Sequence, residues 1–181
     1  MTDLPLVEAF PVAPATVDPV RFRTLMSTFP SGVAVVTAMD PDGHPRGMTC
    51  SSVCSVALDP PTLLVCARRL SPTLRAMLRL SLFAVNLLHA RARATAELFA
   101  SGAVNRFDRV RWHADPSYGG PHLVDAAHAI ADCQITRTVE AGDHVVVFGE
   151  VYEIEQCAPA VPLLYGLRAY SSWQQPEPEL S

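Results

Sequence analysis

The run Gly47-Met-Thr-Cys-Ser-Ser-Val-Cys-Ser-Val-Ala-Leu-Asp-Pro-Pro61 places small hydroxyl and thiol side chains where a core strand would carry large apolar ones. Met48, Thr49, Cys50, Ser51 and Ser52 form its first part, Ser55 and Val56 follow, and Asp59-Pro60-Pro61 closes it. Small residues let a flat ligand or a phosphate approach the backbone, and their hydroxyl and N–H groups can donate to it. A serine-rich edge strand or loop is the competing reading. A second constellation follows in Cys66-Ala67-Arg68-Arg69 and Ser71-Pro72. A helix beginning at Ser71 offers unpaired N–H groups and a positive dipole end, which suits a phosphate that an arginine could also clamp. A solvated arginine pair before an ordinary capped helix explains the same residues equally well. The third is Gly142-Asp143-His144, a tight turn that delivers a histidine to the mouth of a strand. The fourth gathers Tyr165, Arg168, Tyr170 and Trp173, an aromatic wall for a ring or part of a subunit interface.

Several chemistries are excluded. All 14 basic residues are arginine, so lysine Schiff-base chemistry is closed to this chain. There is no G-x-G-x-x-G, P-loop, H-E-x-x-H or G-x-S-x-G. The six histidines include no i, i+4 pair of a metal-binding helix face, and the five cysteines form no C-x-x-C, so no metal site is expected. A net charge of −4 gives no general attraction to nucleic acid or to an anionic membrane. No segment reaches the roughly 18 apolar residues of a membrane span, and the first residues do not read as a signal peptide. The expectation is a cytoplasmic protein with reduced cysteines. Its 181 residues, 49% hydrophobic and 18% charged, suit one well-buried domain with apolar surface left to cover in an oligomer.

These residues need elements to hold them. Residues 1–17 read as a flexible arm, 18–173 as the folded domain and 174–181 as a disordered tail. Asp18-Pro19 starts a helix that Pro30 ends. Residues 32–39 and 46–56 read as a hairpin, 62–67 as a buried strand, and Ser71-Pro72 as the start of a short helix with Leu74, Met77 and Leu78 inward. Residues 83–88 read as a strand, 90–100 as a helix and 101–122 as a long loop of the sort that carries function. Residues 129–139 and 144–155 are two long strands, and 156–173 is a connecting segment. Roughly six strands, mostly hairpin-connected, with peripheral helices predict a mainly β fold, a small antiparallel barrel.

Six segments in order resemble the flavin reductase-like family: Phe29-Pro-Ser-Gly-Val-Ala-Val-Val-Thr37, Gly47–Ser52, Ser55–Pro61, Phe83-Ala-Val-Asn-Leu-Leu88, Gly142-Asp-His144 and Leu164–Tyr170. The resemblance runs from Phe22 to Trp173. It implies an FMN-binding split barrel that pairs as a homodimer, with FAD or FMN and NADH or NADPH as cofactors. It further implies a reductase that passes reduced flavin to a partner monooxygenase. Carried over by position, Met48, Thr49, Cys50, Ser51, Ser52, Ser55 and Val56 would contact the flavin ring and ribityl chain. Cys66, Ala67, Arg68, Arg69 and Ser71 would lie toward its phosphate. Asn86 would support the site from a neighbouring strand. His144 would be the catalytic-site residue at the nicotinamide, with Tyr170 on the same side. Two other readings stay open: a flavin-binding carrier or sensor, and a split-barrel oxidase that retains FMN. The role of Cys50, where relatives carry small residues of several kinds, is also open.

Overall fold

The computed structural model describes residues 15–157 and 161–173. The expected tail, and the expected arm apart from 15–17, lie outside them. Asp18 caps α1 (Pro19–Ser27) by accepting the Val20 N–H at 2.8 Å, and proline opens the helix. No residue of α1 is buried. Then come β1 (Ser31–Gly32), β2 (Ala34–Met39), β3 (Pro45–Cys50), β4 (Val53–Leu58) and β5 (Pro61–Arg68). After α2 (Pro72–Leu80) follow β6 (Leu82–Leu88), α3 (Arg93–Ala100), β7 (Ala127–Ala141) and β8 (His144–Gln156). The hairpin β9 (Leu163–Gly166) and β10 (Ala169–Ser172) ends the fold.

Seven strands form one antiparallel sheet in the order β3-β2-β6-β7-β8-β5-β4. Its two edge strands, β3 and β4, are consecutive in the chain. Two residues, Ser51 and Ser52, join them, so the sheet must curl until its ends meet. The Cys66 N–H donates to the Ser52 carbonyl at 3.2 Å, and the Cys50 thiol donates to the Cys66 carbonyl at 3.8 Å. The result is a split barrel with its seam between β3 and β5. Inside it Val36, Val65, Phe83, Val85, Cys133 and Val147 are buried, and Leu74 and Met77 of α2 plug one side. A second core packs Val35, Leu88, Ala96, Phe99, Phe107, Leu123 and Leu163 outside β2 and β6. Every residue of β2 from Ala34 to Ala38 is therefore buried, which is why Val-Val shows no alternation. Burying each of its two valines stabilises the fold by about 1.5–3 kcal/mol.

The structure departs from expectation at three places. Residues 46–56 are not one strand: the chain turns at Ser51-Ser52 and leaves for the opposite edge of the sheet. Small side chains allow that corner. The 156–173 connection contains β9 and β10, which pair with β1 as a second, three-stranded sheet. Its turn holds Leu167 and Arg168 at φ of +51° and +61°, a conformation where glycine or asparagine is usual, so the sequence carries no hairpin signal. The helix expected over 90–100 begins as a 3-10 turn at Ala90–Ala92 before α3. The long loop is largely irregular, as expected, with a 3-10 turn at Arg106–Arg109. Among the described residues no helix is long and apolar enough to cross a membrane.

Candidate functional site

A cleft of about 800 Å³ opens over the barrel seam. Its floor is the small-residue run, Met48 to Ser52, facing Cys66, Ala67 and Arg68 of β5. One end is the start of α2. Ser71 caps this helix by accepting the Leu74 N–H at 3.5 Å, and its hydroxyl also lies 3.6 Å from the Met48 sulfur. The first turn of α2 carries no acidic residue, so nothing there offsets the dipole end. Arg68 stands beside it on β5, opposite His144 on β8, and both line the cleft. Among the described residues the Arg68 guanidinium makes no ion pair.

His144 is positioned by the β7–β8 turn, where Gly142 has φ of +60°. Its Nδ1 lies 2.8 Å from a carboxylate oxygen of Asp143. That hydrogen bond holds the Asp143 carboxyl below its ordinary range. With Nδ1–H donating to Asp143, Nε2 is left to meet a ligand.

The opposite wall comes from α3 and the loop behind it: Phe99, Ala100, Gly102, Val104, Arg106 and Phe107. Gly47 lets α3 rest on β3, because a Cβ there would stand 2.7 Å from the Phe99 ring. Thr49 ties the same contact by donating to the Ala96 carbonyl at 2.6 Å. Arg106 donates through Nε to the Ala103 carbonyl, and through Nη1 to the Gly47 and Phe99 carbonyls, all within 3.1 Å. Carbonyls hold the guanidinium without neutralising it. Burial, and the charge of Arg46 nearby, lower its pKa, so this wall favours an anion.

Of the residues expected at the site, Met48, Thr49, Cys50, Ser51, Ser52, Cys66, Ala67, Arg68, Ser71 and His144 line the one cleft. Cys50 is buried, and burial raises the pKa of its thiol as it does that of Cys66. The Cys50 thiol is bonded to the Cys66 carbonyl, and burial disfavours its thiolate. Ser55 and Val56 lie on the exposed side of β4, and Arg69 turns toward Glu140 at 4.0 Å. Asn86 is fully buried. Its amide bridges the Val35 and Pro121 carbonyls and the Thr37 hydroxyl, and its oxygen accepts the Leu123 N–H at 2.7 Å. Tyr170 packs beside Tyr165 under the Arg93 guanidinium, away from the cleft within this chain. Sequence reasoning missed Arg46, Phe99, Val104, Arg106 and Phe107. Only their place in or beside an aromatic, glycine-containing loop hinted at Phe99, Val104, Arg106 and Phe107, and nothing hinted at Arg46 on β3.

A second hollow of about 950 Å³ lies between α1 and the outer side of the seam, lined by Phe22, Met26, Phe29, Val53, Leu64 and Tyr165. Ser51 and Ser52 border both spaces. Among the described residues no cluster of histidine, cysteine and carboxylate groups could hold a metal ion.

The family described as "Flavin reductase like domain" matches residues 26–174. The chain is 51% identical over 151 residues to "Flavin reductase (NADPH)" of Lentzea aerocolonigenes, covering 83% of this chain and 88% of that protein. It is 34% identical over 154 residues to "Flavin-dependent monooxygenase, reductase subunit HsaB" of Rhodococcus jostii (strain RHA1), covering 85% and 77%. The solved NADH:FAD oxidoreductase SgcE6 of Streptomyces globisporus C-1027, in complex with NAD and FAD fragments, superposes with a TM-score of 0.79. It is 32% identical, and the match covers 93% of this chain and all of that one. By this match across most of its length, and by the barrel, seam and cleft that accompany it, the chain belongs to the flavin reductase-like domain family.

Proposed function

We propose that the protein is an NAD(P)H:flavin oxidoreductase of a two-component system, supplying reduced FAD or FMN to a partner monooxygenase. The observation that carries this reading is the single cleft that joins the small-residue seam, the α2 N-terminus and His144. The residues fit a flavin. Ser51 and Ser52 present small polar groups where a planar ring needs close approach. Ser71, Arg68 and the free N–H groups of α2 suit its phosphate, and Arg106 places a second uncompensated cation on the facing wall. The bound nicotinamide and flavin supply the hydride chemistry, and the protein supplies orientation and electrostatics. His144 would present Nε2 to a nicotinamide as a hydrogen-bond acceptor, with Asp143 fixing the ring's tautomer through Nδ1. No side chain is required as an acid or base for the transfer itself. The openness of the cleft to solvent suits a flavin that arrives and leaves as a substrate.

The folded unit is 18–173, it works in the cytoplasm, and it pairs as a homodimer through the apolar surface around α1. Steady-state oxidation of NADH and NADPH with FMN, FAD and riboflavin in parallel tests the reading. Nucleotide oxidation should depend on added flavin and be faster with NADH. No flavin-dependent oxidation with either nucleotide overturns the enzymatic reading, and faster turnover with NADPH overturns only the nucleotide preference.

A further inference from the structure

Residues 117–123 close the long loop by packing onto the outer face of the sheet, across β2, β6 and β7, and their fit is tight. A Cβ on Gly119 would stand 2.2 Å from the Phe83 carbonyl oxygen, and one on Gly120 2.5 Å from that of Thr37. The segment carries His122, whose side chain is 1% exposed. Its Nε2 lies 3.0 Å from both oxygens of the buried Asp132 on β7, and its Nδ1 lies 3.0 Å from Glu155 on β8. Asp132 also accepts the Gly119 N–H at 2.7 Å. Tyr118 covers the imidazole, with ring centroids 3.7 Å apart and planes within 1°.

A neutral imidazole has one N–H and one lone pair. Here that lone pair would face a carboxylate at 3.0 Å whichever tautomer formed. Only the doubly protonated ring satisfies both acceptors. We infer that His122 is held as an imidazolium that locks the 117–123 segment onto the outer face of the sheet, and that its deprotonation as the pH rises releases this lock and loosens the cleft wall carried by the same loop. This reaches beyond the reductase reading, and only its affinity arm rests on that reading.

Burial works against the charged ring, but the hydrogen bonds and charges of Asp132 and Glu155 outweigh it and leave the His122 pKa above its ordinary value. The sign follows from linkage. A group whose pKa is raised on folding contributes stability that is complete below its unfolded value, about 6.5, and is lost as pH climbs through the folded value. The other titratable groups near it leave that window to His122. Burial raises the pKa of Tyr118, and it pushes Tyr152, whose hydroxyl donates to the Ser117 carbonyl, up to about 12. Cys133, next to Asp132, is also pushed up to about 12 by burial. His113 meets His122 through backbone hydrogen bonds alone.

Three measurements on the full chain test the lock. Nitrogen-15 spectra of the histidine ring, followed from about pH 5 to pH 10, should show His122 doubly protonated at neutral pH, above the ordinary pKa of about 6.5. Thermal unfolding of the wild type should weaken over the pH range in which that ring titrates, whereas His122→Gln should be less stable and flat there. Glu155→Gln removes one carboxylate charge at a half-exposed position and should shift the ring titration and the loss of stability together to lower pH. FAD affinity of the wild type, read by flavin fluorescence, should fall about five- to tenfold over the same range, within the usual span of coupling between sites. A neutral His122 at pH 7, or a melting temperature indifferent to its titration, overturns the lock. An unchanged FAD affinity while stability falls overturns the link to the cleft. The ring spectra and the melting curves require no flavin, so they stand apart from the fate of the reductase reading.

Discussion

At the scale of single residues, the cleft separates groups that position a ligand from groups that only leave room for one. His144 belongs to the first kind. It sits in the cleft with one ring nitrogen engaged by Asp143 and the other available. His144→Ala should slow flavin reduction by roughly ten- to a hundredfold, the cost of a misplaced reacting centre, while weakening flavin binding less. Stopped-flow reduction at saturating flavin reads this directly, and an unchanged rate would make His144 a bystander. Cys50 belongs to the second kind. Its thiol is buried and its pKa raised, whereas Cys54 on β4 is exposed. A maleimide at neutral pH should modify the exposed Cys54 before the buried Cys50, whose access is restricted and whose thiolate is disfavoured by burial. Cys50→Ser should keep most of the activity. Preferential labelling of Cys50 would show a reactive thiol at the flavin floor. The sequence exposed His144 and the hydroxyl run because their residue types are unusual for strands. It could not expose Arg106, whose cleft position depends on the Gly47 carbonyl of β3 as well as on the nearby Phe99 and Ala103 carbonyls.

At the scale of elements, local signals were legible where they are written in consecutive residues. Asp18-Pro19 and Ser71-Pro72 start helices as cap chemistry requires, and Gly142-Asp143 turns β7 into β8. What escaped were decisions taken by long-range closure. Ser51-Ser52 reads as strand, but the next strand pairs with β5 at the other edge, so the chain must turn there. Likewise nothing local reveals that 117–123 packs across the outer face of the sheet. Asn86 is the clearest case: expected to support the flavin site, it instead receives this segment through the Pro121 carbonyl and the Leu123 N–H. Asn86→Ala should therefore destabilise the fold, losing about 1–3 kcal/mol at the Leu123 N–H alone. A lower urea midpoint with an unchanged flavin affinity per folded molecule is the expected result. An unchanged midpoint would mean that water or a rearranged loop replaces the amide.

At the scale of the whole molecule, α1 presents a problem that the single chain does not solve. It has nine residues and none is buried, and a free helix of fewer than about 12 residues is marginal in water. Phe22, Leu25, Met26 and Phe29 are all exposed, with Phe29 at 70%. One tie, from the Leu167 N–H to the Ser27 carbonyl, joins this helix to the strained Leu167-Arg168 turn. The apolar hollow beneath it continues into the cleft through Ser51 and Ser52. A second copy of the chain would cover these side chains and border the flavin cleft at the same time. The high apolar fraction of the sequence leads to the expectation of an oligomer with Tyr165–Trp173 in its interface, and the exposed apolar side chains around α1 offer a further candidate surface. Sedimentation at low micromolar concentration should therefore give a dimer. Phe29→Asp, which sets a charge in the centre of the apolar surface, should yield monomer and weaken FAD binding, because a site bordered by both chains is linked to their association. A wild-type monomer that reduces flavin at full rate, or a Phe29→Asp monomer with undiminished FAD affinity, would show that the cleft is complete in one chain.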